Sequence, residues 1–239
     1  MINVYFVMMA ALIYFLGASI GSFLTVTVMR GHRKEDFVKG RSKCECCGKE
    51  LVWWELIPSI SYMMLGGKCS KCKSKIDPAH FIGETGLGVI ITAVFLAYMF
   101  QVVSGVQAII YIVTLTVLWQ NVISDLLYQE VHCGMIYIVA VLISLINGNW
   151  IPVIVMIALA SIFLSKDNFS KFGAGDVDVL ILIYASLGRL LPLLSVIFFA
   201  SVLALIAYLL VIRKSEDKKI PFVPFLFAGY VLVICGVML

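Results

Sequence analysis

Residues 105–125 read GVQAIIYIVTLTVLWQNVISD, and no charged side chain occurs in this run before Asp125. A helix needs roughly 20 apolar residues to cross the hydrocarbon core of a bilayer. The run is long enough, so it predicts a membrane-spanning helix with a carboxylate at one boundary. Because an ionisable group is costly to hold in or near a bilayer, Asp125 is a candidate functional residue.

The rest of the chain has the same apolar character. Of its 239 residues, 62% are hydrophobic and only 13% are charged. A soluble domain could not keep that much apolar surface out of water, so we predict an all-α polytopic membrane protein. The first helix is too long for a cleaved signal peptide, and we expect it to be retained. About eight transmembrane helices are predicted, at 5–28, 82–101, 105–124, 134–147, 150–165, 177–188, 191–212 and 222–238.

The basic residues predict the orientation of these helices. With the first loop in the cytoplasm, residues 30–81, 125–133, 166–176 and 213–221 lie inside. Of the 18 lysines and arginines, only Arg189 then lies on the outer side. This distribution follows the positive-inside rule, and the opposite orientation would invert it.

The loop between the first two predicted helices carries two CxxC pairs, Cys44 with Cys47 and Cys69 with Cys72. Four thiolates satisfy the tetrahedral preference of a structural zinc ion, so the pattern predicts a zinc-bound cytoplasmic loop domain. Two disulfides are the alternative, which a reducing compartment disfavours. Cys46 could replace Cys47 in a CxC chelate, although CxxC is the commoner spacing.

A second candidate carboxylate, Asp176, opens a later span in FGAGD at 172–176, on the same predicted side as Asp125. Two adjacent aspartates share one proton, because like charges a few ångströms apart cannot both ionise. One could then deprotonate a water while the other polarises a peptide carbonyl. Gly173 and Gly175 would permit unusual dihedrals and the close passage of a substrate strand. The pair predicts a membrane aspartyl protease.

Helix capping is the alternative role for these aspartates. It suits Asp176 at a helix start, but it suits Asp125 poorly, because a helix C-terminus disfavours negative charge. Glu84, Glu130 and Asp178 are expected to be loop or helix-start residues.

Four stretches of the chain resemble the type IV prepilin peptidase family, in the family's order and spacing. They are GSFLTVTVMR at 21–30, the double CxxC block with ELVWWELIPSISYMMLGGKC at 50–69, the Asp125 segment and FGAGD. The family comprises bifunctional leader peptidases and N-methyltransferases of pilus, type II secretion and competence systems. The resemblance implies cleavage of prepilin or pseudopilin leaders on the cytoplasmic side of the bacterial cytoplasmic membrane. It also implies methylation of the new N-terminus from S-adenosylmethionine.

The resemblance also assigns roles along this chain. Together with the predicted topology, it divides the chain into a first transmembrane helix at 1–29, a cytoplasmic zinc-binding loop domain with the methyltransferase part at 30–81, and a helical membrane protease domain at 82–239. Asp125 and Asp176 match the family's catalytic aspartates. The metal ligands it implies are Cys44, Cys47, Cys69 and Cys72. Prepilin-like substrates and membrane lipid are the expected partners and nucleic acid is not, while the residues that bind S-adenosylmethionine stay unassigned.

This chain departs from the family at two places. His132-Cys133 stands where the family often has Pro-Asp, which changes the expected shape of that loop. Asp178 stands where the family often has lysine, and an extra carboxylate there is expected to shift the pH optimum of the aspartate pair.

Two other functional classes fit a polytopic chain with a zinc loop. In a proton- or ion-coupled transporter, the carboxylates would form a relay and the loop would dock a partner. In a scaffold, the membrane part would serve as an anchor. The sequence favours neither, since no internal repeat is evident, the carboxylates lie at one face, and an anchor needs far fewer spans.

Overall fold

The computed structural model describes residues 4–36, 41–165, 174–210 and 220–238, and within them the regular elements are helices. A short 3₁₀ helix covers Trp53–Leu56. The α-helices are α1 (Val4–His32), α2 (Ile60–Met64), α3 (Pro78–Met99), α4 (Gly105–Tyr128), α5 (Cys133–Asn147), α6 (Ile151–Ser165), α7 (Ala174–Leu187), α8 (Leu190–Leu210) and α9 (Val223–Met238). The eight long helices coincide with the eight predicted spans, which confirms the predicted all-α fold class.

Four of the described helices, α1, α3, α4 and α8, are long and apolar enough to cross a membrane. α5 and the described part of α9 are apolar but shorter. Large apolar side chains stand exposed on α1 and α8, for example Leu12, Leu191 and Phe198. Lipid is the solvent that such surfaces require, because large apolar surfaces are costly to expose to water. The chain is a multi-pass membrane protein.

By packing, the chain divides into two units, Met1–Gln101 and Val102–Leu239. In the first unit, α1 lies along α3. The approach is so close that a Cβ atom at Gly21 would overlap the backbone carbonyl of Gly83. Small residues allow such backbone contact between membrane helices, and dispersion forces then hold the pair together. α3 begins with Pro78 after Asp77, whose Oδ1 accepts from the Ala79 N–H at 2.8 Å.

In the second unit, α7 is largely enclosed by other helices. Val179, Leu182, Ile183 and Ala185 are each 0% exposed in their surroundings of α4, α5, α8 and α9. A hydrogen bond of 2.6 Å joins the Ser186 and Tyr230 hydroxyl groups of α7 and α9. Enclosure by protein explains how a helix of 14 residues can sit at membrane depth. The functional ranges 1–29, 30–81 and 82–239 stay a prediction.

Candidate catalytic and metal sites

The four cysteines of the CxxC pairs come together in the first unit. The sulfur atoms of Cys44, Cys47, Cys69 and Cys72 all lie within 4.8 Å of one another, and Cys44 and Cys72 are 3.8 Å apart. Four sulfurs at Zn–S bonds of about 2.3 Å are separated by about 3.8 Å in a tetrahedron. Cys46 is exposed and lies outside the cluster. The donor set and its spacing therefore fit a structural zinc ion.

Each CxxC pair sits in the same kind of tight turn. The Cys44 N–H donates to the Lys49 carbonyl and the Cys69 N–H donates to the Ser74 carbonyl, at 2.8 and 2.9 Å. The residue after the second cysteine of each pair has a left-handed backbone, with φ of 67° at Gly48 and 59° at Lys73. The two sequence pairs thus fold into two equivalent chelating turns.

Glu55, which the sequence analysis did not single out, links these two turns. Its side chain is 1% exposed and pairs with Lys49 Nζ at 2.8 and 2.9 Å. It also accepts from the Ser70 hydroxyl and from the Val52 N–H. The hydrogen bonds from Lys49 lower the pKa of Glu55 to about 2. Because Lys49 follows the first cysteine pair and Ser70 lies within the second, one buried carboxylate holds both turns.

A second polar network ties the loop to the helices of the first unit. Glu84 lies within α3, where its carboxylate accepts from the Ser22 hydroxyl of α1 and from the Ser59 N–H, both at 2.7 Å. The Ser59 hydroxyl in turn accepts from Tyr14 and Thr85, each at 3.0 Å. Ser59 has φ 63° and ψ −44°, a conformation that a serine keeps only when its surroundings enforce it. Glu84, expected in a loop or at a helix start, lies in the second turn of α3 and joins α1, α3 and the loop.

Asp125 lies in the last turn of α4 and is 7% exposed. Its Oδ2 accepts a hydrogen bond of 3.0 Å from the backbone N–H of Val223, the first residue of α9. The N-terminus of a helix stabilises negative charge through its unpaired N–H groups and its dipole. α9 thus compensates Asp125 for its unfavourable place at the C-terminal end of α4.

Asp176 lies in the first turn of α7 and is half-buried. α7 contacts α4, the helix whose last turn carries Asp125. A Cβ atom at Gly175 would lie 2.7 Å from Cβ and Cγ2 of Val131, in the segment between α4 and α5. Glycine is therefore required for α7 to begin this close to that segment. Gly173 lies outside the described residues.

Asp178 is buried and belongs to a different contact. Its Oδ1 accepts from the Tyr137 hydroxyl of α5 at 2.9 Å. Residues two apart on a helix are separated by about 200° around its axis, so Asp178 and Asp176 face different neighbours. His132 is the other position at which this chain departs from the family pattern. Its backbone N–H donates to Asn121 Oδ1 at 2.7 Å. No sequence motif around Tyr137 or Asn121 marks either residue as a hydrogen-bond partner.

Comparison with known proteins finds similarity along nearly the whole chain. Residues 15–98 match the bacterial peptidase A24 N-terminal domain. A prepilin leader peptidase/N-methyltransferase of Pseudomonas putida is 28% identical over 97% of this chain and 91% of the relative. The protein of that name from Bacillus subtilis is 24% identical over 94% of this chain and 93% of the relative.

A shorter match is closer in sequence. The prepilin leader peptidase/N-methyltransferase of Vibrio cholerae is 35% identical over 79 residues, which cover 30% of this chain and 31% of the relative. No solved structure matches the chain.

Proposed function

This chain belongs to the family of prepilin leader peptidases/N-methyltransferases, and from that premise we propose that it is a membrane aspartyl endopeptidase. Its substrates are prepilins or pseudopilins, whose leader peptides it removes at the cytoplasmic face of the bacterial cytoplasmic membrane. It then methylates the new N-terminus with a methyl group from S-adenosylmethionine. The peptidase names of the relatives reported above support this function over a transporter.

One observation carries the peptidase half of the proposal. Asp125 lies in the last turn of α4 and Asp176 in the first turn of α7, and these two helices contact one another. Two carboxylates brought together there would share a single proton. This pairing supplies both a base and an acid without any other catalytic group.

The hydrogen bond from Val223 supports different roles for the two aspartates. The N–H at the start of α9 stabilises Asp125 as a carboxylate. Asp125 is therefore the base, and Asp176 carries the shared proton. Asp125 removes a proton from a water molecule, whose oxygen attacks the scissile carbonyl carbon. Asp176 donates a hydrogen bond to the carbonyl oxygen as negative charge develops there.

Collapse of the tetrahedral intermediate completes the reaction. The carbon–nitrogen bond breaks, and the leaving nitrogen takes the proton that Asp125 had removed from water. The products are the free leader carboxylate and a new N-terminal amine. That amine is the nucleophile that the methyltransferase reaction requires.

The four-cysteine cluster serves the loop and not the peptide cleavage. Cys44, Cys47, Cys69 and Cys72 would hold a structural zinc ion, which supplies folding free energy when bound. Their own part is to present four thiolates from two tight turns. Glu55 keeps those turns in register through Lys49 and Ser70.

Cleavage of a prepilin-like substrate tests the peptidase assignment. The purified full-length chain in detergent is compared with Asp125→Asn and Asp176→Asn, and the leader-free product is followed by mass spectrometry. We expect either substitution to abolish cleavage. Asp178→Asn is the matched control, because asparagine still accepts from Tyr137 and the residue lies outside the pair.

Cleavage that survived Asp125→Asn or Asp176→Asn would reject the pair as the catalytic group. Methylation is measured separately on a substrate whose leader is already absent. We expect both Asp→Asn variants to methylate this substrate, because their loop is unchanged.

A further inference from the structure

The short helix α2, in the loop between α1 and α3, has two faces with different surroundings. Three consecutive-turn residues line a cavity inside the loop, namely Ser61, Tyr62 and Leu65. Ile60, Met63 and Met64 fall within about 100° of one another on the opposite face, because successive residues of an α-helix are about 100° apart. This outer face is wholly apolar, and Met63 and Met64 are 69% and 73% exposed. A helix that meets water carries polar residues on its outer face, so water is an unfavourable solvent for this one.

Ser59, the residue before α2, shows how deep this outer face lies. Its N–H donates to Glu84 and its hydroxyl accepts from Thr85, both residues of α3. Thr85 lies about 10 Å along the axis from the start of α3, at 1.5 Å per residue. Ser22 of α1 donates to the same Glu84 carboxylate. The beginning of α2 therefore lies beside α1 and α3, inside the length of both helices.

The two long helices face lipid at this level. Phe23 follows Ser22 in α1 and is 55% exposed, and Ile82 precedes Glu84 by two residues in α3 and is 53% exposed. Both helices are long and apolar enough to cross a membrane. Large apolar side chains exposed on such helices are lipid contacts, because water would disfavour them. The lipid that surrounds Phe23 and Ile82 is then also within reach of α2.

We propose that the outer face of α2 is a lipid-docking surface, which together with Trp53 inserts into the leaflet where α3 begins. Interfacial helices bury an apolar face about 5–10 Å into the boundary between headgroups and acyl chains, and the depth of Ser59 agrees with this. Trp53 is 78% exposed and lies on the 3₁₀ helix that contacts α2. Tryptophan favours the membrane–water interface.

The first turn of the four-cysteine module lies towards water from this surface. Arg33 follows the end of α1 and pairs at 3.0 Å with Glu45, which lies within the first CxxC pair. Arg33 lies about 16 Å beyond Ser22 along the axis of α1, at 1.5 Å per residue. The loop thus has a charged end near the aqueous phase and an apolar end at membrane depth. Docking of α2 would hold the cysteine module close to the bilayer surface.

Contacts with α3 keep α2 at this depth. Tyr62 stacks on Phe81 with ring centroids 4.9 Å apart and an interplanar angle of 23°. Ser59 is 4% exposed within its hydrogen bonds to α3. The outer face could leave the lipid only if these contacts broke.

Lipid photolabelling tests the proposal on the zinc-loaded full-length chain. The chain is placed in nanodiscs of phosphatidylethanolamine and phosphatidylglycerol that include a phospholipid with a diazirine on its upper acyl chain. After irradiation, the labelled peptides are mapped by mass spectrometry. We expect label in residues 53–64 as well as in α1 and α3, and none in residues 41–50. Label in α1 and α3 without label in residues 53–64 would overturn the proposal.

An added tryptophan gives a second readout. Met64→Trp and Arg33→Trp are each compared with the parent in nanodiscs made with and without lipid brominated on the upper acyl chain. We expect brominated lipid to quench the fluorescence that Met64→Trp adds and to leave that of Arg33→Trp unchanged, because position 33 lies towards water. Equal quenching at both positions, or none at position 64, would overturn the proposal. Melting temperature and zinc content establish that each variant is folded.

A prepilin-like substrate distinguishes lipid from a protein occupant of the same surface. The photolabelling is repeated with saturating substrate, and we expect the label in residues 53–64 to persist. Loss of that label on substrate addition would assign the surface to the substrate and would overturn lipid as its occupant. Since these readouts need no turnover, they are independent of the peptidase and methyltransferase assignments.

Discussion

Substitution of Gly175 by alanine tests whether the peptidase depends on the close approach of α7 to the α4–α5 segment. The added Cβ would lie 2.7 Å from two carbon atoms of Val131 and 3.3 Å from a third. Carbon atoms prefer about 3.5–4.0 Å, so the two segments must separate by about 1 Å. Overpacking of this kind costs about 1–3 kcal/mol of stability.

The effect on the reaction should exceed the effect on stability. Gly175 precedes Asp176, and a displacement of about 1 Å can cost about 100-fold in rate. We expect kcat for leader cleavage to fall by about 10- to 100-fold in Gly175→Ala. The assay is steady-state cleavage of a prepilin-like substrate by the detergent-purified chain, together with its melting temperature.

Two further variants make the test specific. Val131→Gly removes all three clashing carbons, so the double variant should cleave faster than Gly175→Ala alone. Gly134→Ala is the control, because a Cβ there meets open space. A Gly175→Ala chain that cleaved at the parental rate, or a double variant with no recovery, would refute the close-approach argument.

Three other predictions follow from single contacts. Val223→Pro removes the N–H that stabilises the Asp125 carboxylate, so the acid limb of the pH–rate profile should move to higher pH. An unmoved acid limb would contradict the assignment of Asp125 as base. Cys69→Ser should lower the zinc content measured by elemental analysis, whereas Cys46→Ser should leave it at the parental value, and equal loss in both would reject the ligand set. Glu55→Gln should lower the melting temperature at neutral pH. Because the pKa of Glu55 is lowered from 4.5 to about 2, the parent's advantage should be present above about pH 4.5 and vanish as the pH falls towards 2.

The helices and the metal cluster were predictable because their signals are local. Each long helix follows from a run of mostly apolar residues, since the length and polarity of a segment largely decide whether it can cross a bilayer. The spacing of Cys44 and Cys47 likewise allows one turn to present two thiols. The structure also separates Cys46 from the cluster, an alternative that the spacing left open.

The contacts of the buried carboxylates were not predictable in this way. Asp178 was expected near a helix start and to influence the aspartate pair, but its partner is Tyr137, 41 positions away. Glu55 had no distinguishing feature in the sequence, although it connects two turns. The sequence shows where burial of a carboxylate costs free energy. Which hydrogen-bond donor offsets that cost depends on which helices pack together.

By itself, the sequence determined that this protein is an all-helical membrane protein with two thiol pairs and aspartates at helix boundaries. Hydrophobic length and residue spacing are properties of neighbouring residues, so no folding is needed to see them. Only the tertiary structure decided that Asp125 accepts from the start of α9, that Glu84 joins α1, α3 and the loop, and that the loop encloses a cavity. Those contacts join residues up to 98 positions apart, and packing alone brings such residues together.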